Sequence, residues 1–148
     1  MDDLTPEELE EHRSQRADNN FSTRDIWNFA WSNAEAQIKA LTALRDMAHG
    51  YPAELATDEP LPDGSVDHSG MDRWREILDK MIDGWQSLSD EDELTIRPYD
   101  ESKTFLENVN APISDEQRET YRAAVDACRQ RFTEGIELYV RYYRSLWD

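Results

Sequence analysis

Apolar residues recur along most of this chain in alternating steps of three and four, the spacing of helices that bury one side. The stretch MDRWREILDKMIDGW shows it most plainly: Met71, Trp74, Leu78, Met81 and Trp85 fall in register, and Leu88 continues the row. Such a row is the seam of a helical bundle. A second row, Trp27, Ala30, Trp31, Ala34, Ile38, Leu41, Leu44 and Ala48, predicts a helix from Ser22 to about Ala48 that stops at Gly50. A third, Tyr121, Val125, Cys128, Phe132, Ile136, Tyr139, Tyr143 and Leu146, predicts a helix from Ser114 to Asp148 with no proline inside it. At 1.5 Å per residue the last helix would span roughly 50 Å and the first of the three roughly 40 Å, with the middle one shorter. The expected fold is all-α: an up-down bundle of three long helices, plus a short N-terminal helix and a short filler helix.

Helix starts are written in capping-box form. Thr5, Pro6 and Glu8 open the N-terminal helix, and Ser22 with Asp25 opens the first long one, where Phe21 and Ile26 form a staple. Ser69 caps the second long helix, with Asp72 at its third position, and Ser114 with Gln117 caps the last. Asp100 caps the filler helix carrying Phe105, Leu106 and Val109. Residues 1–21 read as an acidic arm containing the short helix, and residues 22–148 as a single domain. That domain is interrupted by a long loop at 49–70, with Pro52, Pro60, Pro62 and Gly64, and by an acidic linker at 89–112.

The first long helix has a second apolar side. Phe29, Ala36, Ala40, Ala43 and Met47 lie nearly opposite the row that contains Leu41. Either the helix is sandwiched between two neighbours, the favoured reading, or Phe29, Ala36, Ala40 and Met47 form an interface through which a homo-oligomer assembles.

Five glycines and six prolines in 148 residues are too few for an all-β design. The formal net charge of −17 argues against a partner that is duplex nucleic acid, and against an anionic membrane surface. A single cysteine, Cys128, excludes an internal disulfide and reads as a small core residue in a reducing compartment. The acidic N-terminus does not read as a signal peptide, and no apolar run approaches membrane-spanning length. The expected location is cytoplasmic.

Candidate chemistry is sparse. Asp72, Glu76, Asp79 and Asp83 repeat at helical spacing, but at 100° per residue they point almost opposite to the apolar row of the same helix. Carboxylates binding Mg²⁺ in an all-α nucleotide hydrolase must converge inside the bundle. This row therefore reads as a solvated face, with Arg73, Arg75 and Lys80 as local partners. His12, His49 and His68 lack metal-ligand spacing, although His49 and His68 bracket the acidic loop. No metal site, cofactor or catalytic set is expected. The unusual composition lies in the last helix, where Arg141 and Arg144 interleave with Tyr139, Tyr142, Tyr143 and Trp147. Arg with Tyr and Trp is the make-up of binding hot spots. The candidate binding surface is Arg141, Tyr142, Arg144 and Trp147, with Tyr51 and His49 from the loop.

Three stretches carry a resemblance: Asp25-Ile26-Trp27-Asn28, His49-Gly50-Tyr51-Pro52, and Trp74-x-x-Ile77-Leu78-x-x-Met81-Ile82-x-Gly84-Trp85, with Leu146-Trp147 closing the chain. Together they resemble a family of small uncharacterised proteins encoded by tailed phages, over residues 22–88 and the C-terminus. The resemblance implies a phage or prophage origin and a helical fold, and brings no activity and no catalytic residue. The expectation is a non-enzymatic binding protein that engages a host protein or a small ligand in the infected cell. The alternatives are a virion or assembly component that self-associates and a Mg²⁺-dependent nucleotide hydrolase using Glu76, Asp79 and Asp83.

Overall fold

The computed structural model describes residues 4–56, 62 and 69–147. Every regular element among them is helical, so the fold is all-α. The α-helices are α1 Pro6–Asn19, α2 Thr23–Trp27, α3 Phe29–Met47, α4 Ser69–Asp92, α5 Phe105–Asn110 and α6 Asp115–Tyr142, with single 3₁₀ turns at Ala53–Leu55 and Tyr143–Ser145.

Four helix starts carry complete capping boxes: Thr5 with Glu8, Ser22 with Asp25, Thr104 with Glu107 and Ser114 with Gln117. In each, the cap side chain accepts from the third helical N–H and the third side chain accepts from the cap N–H. The filler helix thus starts on Thr104 rather than Asp100. Asp100 instead accepts from Ser102, while its own N–H is held by Asn108 at 2.8 Å, which shapes the turn before α5.

The first long helix is two helices. Asn28 leaves helical geometry at φ −112°, ψ 38°, and separates α2 from α3. The break costs little, because the Asn28 N–H still donates to Arg24 O at 3.1 Å and its carbonyl accepts from Ser32 at 2.9 Å. Asn tolerates such a break better than most residues, being a weak helix former. Downstream, Ala34, Leu41 and Ala48 turn inward and are buried. Upstream the predicted row fails: Trp27 is 84% exposed and Trp31 half exposed.

α4 is the central helix, not α3. It packs against α3 on one side and α6 on the other, and those two do not approach each other along their backbones. The expected sandwiching of the first long helix is therefore corrected, and its outer side is bare. Contacts run in opposite senses along α4 and α6. Trp74 meets Tyr142, Gly84 meets Gly135 and Glu91 meets Arg129 across α4 and α6.

The core gathers where α4 passes its neighbours. Trp74, Leu78 and Met81 are fully buried, together with Leu41, Ala48, Leu55 and Tyr142. Trp74 and Tyr142 meet edge to face at 5.5 Å. α4 and α6 come closest at Gly84 and Gly135. A Cβ on either glycine would stand 2.7 Å from the other's Cα, so backbone lies on backbone there. Leu55, on the turn after α3, is buried in this core, and the Tyr51 ring lies where a side chain at position 70 would go, which explains Gly70.

Two boundaries differ from expectation. α4 runs one turn past Leu88 to Asp92, so the acidic linker begins later. α6 ends at Tyr142 in a 3₁₀ turn rather than running to residue 148, and spans about 42 Å at 1.5 Å per residue. α5 does not fill the second helix's layer: it packs against no other helix, and Phe105 and Leu106 are largely exposed. His68 and the acids Asp58, Glu59, Asp63 and Asp67 of the long loop lie outside the described residues.

Candidate interaction surfaces

The acidic row of α4 faces outward, as its phase requires, with Asp72, Glu76, Asp79 and Asp83 all exposed. Two of its members are engaged from neighbouring helices. Arg45 of α3 reaches Asp79 at 2.6 Å. Arg131 of α6 grips Asp83 with two bonds, at 2.9 and 2.6 Å, and Asp90 with a third at 2.7 Å. The Arg131 guanidinium holds the Asp83 carboxyl below its usual range. Of the expected local partners, Arg73 turns instead to Leu55 O and Ser69 Oγ. These ion pairs clasp α4 to both neighbours, and a side chain so held is not presented to a metal. No group of three or more His, Cys, Asp or Glu with metal-site geometry occurs among the described residues.

The residues proposed from sequence as a binding surface divide into two groups. Tyr142 is a correction. It is only 4% exposed, faces Trp74, and burial pushes its hydroxyl pKa up. Tyr51 is half-buried against Gly70. Both are core. For Tyr142 periodicity shows this, since Cys128, Gly135 and Tyr142, the buried residues of α6, are spaced by seven. The sequence reading placed Tyr143 in the seam instead, yet Tyr143 is 62% exposed.

The other group stays on the surface. Trp147 is 74% exposed and Arg141, Arg144 and His49 are also exposed. Leu146 packs on the core and anchors this end of the chain. Val140, Arg141, Tyr143 and Arg144 line a shallow depression with Tyr139, whose hydroxyl donates to Gln37 at 3.1 Å. Arg141 lies 5.1 Å over the Tyr142 ring and 4.0 Å from Glu54. Comparison with family models, curated proteins and solved structures returned no match.

A second surface was only partly visible in the sequence. Phe29 and Met47, both more than 60% exposed, bound an uncovered side of α3 on which Ala36, Ala40 and Ala43 are also exposed. At its N-terminal end this side opens into a groove of about 710 Å³ lined by Phe21, Ile26, Phe29 and Ala36, with Arg16 and Lys39 at its margin. The other wall is built by α1. Arg16 makes two bonds to Asp25, and Gln15 Oε1 accepts from the N–H and hydroxyl of Thr23. Asp25 thus both closes the α2 capping box and ties α1 down, and Arg16 depresses its pKa. The expected arm is a 14-residue helix fastened at its C-terminal end.

Proposed function

We propose that this chain is a non-enzymatic binding protein, of phage or prophage origin, that engages a protein of the infected host. Its long helices form an up-down bundle, which presents the end of α6 as the contact surface. The observation that carries this reading is the cluster of exposed Val140, Arg141, Tyr143, Arg144 and Trp147. Exposed aromatic and arginine side chains held on a docked segment have the composition and the fixed backbone of a binding hot spot. The cluster is also locally basic on a strongly acidic protein, so it favours an acidic patch on the partner.

The test is affinity capture from host lysate with the wild-type chain beside Trp147→Ala and Arg144→Glu. One stoichiometric host protein, lost with both variants while their unfolding curves stay unchanged, supports the reading. Capture that both variants retain refutes this surface. The second reading, a component that assembles with copies of itself, is favoured by the uncovered outer side of α3. Against the hydrolase reading stand the ion pairs of Asp79 with Arg45 and of Asp83 with Arg131.

A further inference from the structure

The outer side of α3 has an order that repeats when read backwards. Phe29 and Met47 stand nine residues either side of position 38, Asn33 and Ala43 five either side, and Ala36 and Ala40 two either side. We infer that this face pairs with the same face of a second copy, antiparallel, about a two-fold axis at position 38. Phe29 of one chain then lies beside Met47 of the other, Asn33 beside Ala43, and Ala36 beside Ala40.

Size supports the register as well as symmetry. Small residues at the centre let two helix backbones approach closely, and helices that cross diverge toward their ends. The large side chains sit where that divergence leaves space. A face 19 residues long covers about 28 Å of helix at 1.5 Å per residue. With half-exposed Phe21 and Ile26 extending it across the groove, each copy would bury on the order of 600 Å², so the pair exceeds the roughly 1,000 Å² of a specific interface. Electrostatics selects this face over others. No Asp, Glu, Lys or Arg occurs among its six residues, although each chain carries −17. Contact between the acidic surfaces of two copies is opposed by like charge, and this uncharged face meets its own image without that cost. Such an isologous contact closes on itself and stops at a dimer.

Light scattering on the intact protein tests this. The expected mass is twice 17.3 kDa, with dissociation weakened as salt is raised, because screening removes the repulsion of the remaining surface. Ala40→Glu, at an exposed position outside the core, should give a monomer with an unchanged helical spectrum. A second measurement reads the register. Mixing Ala36→Cys chains with Ala40→Cys chains should yield mixed disulfide dimers on air oxidation, in several-fold excess over either variant alone. A wild-type monomer at high concentration overturns the proposal, and like-with-like cross-linking overturns its antiparallel register. Neither result touches the α6 surface, which lies on a different helix.

Discussion

Replacing Gly135 by Ala tests the closest contact in the molecule. The new Cβ would meet Gly84 Cα at 2.7 Å, Lys80 O at 2.9 Å and Gly84 N at 3.2 Å. All three are backbone atoms, so no rotamer change relieves the clash. Carbon atoms pack at about 3.5–4.0 Å, which means α4 and α6 must separate by close to 1 Å at the crossing. That gap is felt by the neighbouring pairs, Trp85 with Phe132 and Tyr139 on one side and Trp74 with Tyr142 on the other. Overpacking of this kind costs about 1–3 kcal/mol, and removing a mid-helix glycine returns about 0.5–1 kcal/mol. The net expectation is a loss of about 1–2 kcal/mol, or a drop in Tm of roughly 3–8 °C for a chain of this size. Urea unfolding followed by far-ultraviolet circular dichroism reads it as a lower midpoint at unchanged slope. Gly50→Ala, with nothing near its Cβ position, is the control and should leave the midpoint in place. If Gly135→Ala unfolds at a higher urea concentration than wild type, helix propensity outweighs contact and the close crossing is wrong.

Other outcomes follow from the same geometry. Tyr142→Ala should cost about 3–5 kcal/mol as a buried aromatic, whereas Trp147→Ala should stay within about 0.5 kcal/mol; unfolding curves of the pair distinguish core from surface. Arg131→Met should cost no more than about 1 kcal/mol, with the difference from wild type shrinking in high salt, because its ion pairs with Asp83 and Asp90 are partly exposed. Asp25 should titrate below the usual carboxylate range. A depressed folded pKa stabilises the α1–α2 tie above the unfolded value and loses that stability as pH falls, so carboxyl NMR shifts of Asp25 should move only in strong acid, together with α1 amide signals. Arg16→Ala should return Asp25 toward its ordinary pKa; an unmoved titration would refute the tie.

What the sequence made legible is what local rules encode. The boxes at Thr5, Ser22 and Ser114 are complete within four residues, and Trp74, Leu78 and Met81 satisfy a short-range period, so both were readable. The acidic row was placed outward by the same arithmetic. Illegible features depended on a partner far along the chain. The Asn28 break has no proline or glycine to announce it. The bareness of Trp27 and Trp31 follows from which helix lies beside them, and that α4 rather than α3 is central depends on the path of unpatterned connections. Gly135 marks the place where a neighbour's backbone sits, which no local spacing rule announces. Tyr142 was assigned to the surface because its composition was weighed above its seven-residue spacing from Gly135. Among the residues the structure leaves exposed, composition points to Arg141, Arg144 and Trp147, and period to Phe29 and Met47.

The central position of α4 also sets an order of events during synthesis. α3 leaves the ribosome before α4 and can cover one of its sides at once. The other side, with the flanks of Trp74, Met81 and Trp85, must wait until α6 has been made some 50 residues later, at about 5–20 residues per second. For several seconds the nascent chain carries an uncovered aromatic stripe while its acidic residues keep neighbouring chains apart. Like charge on nascent chains opposes their association over that interval, while the last partner of α4 has not yet been translated.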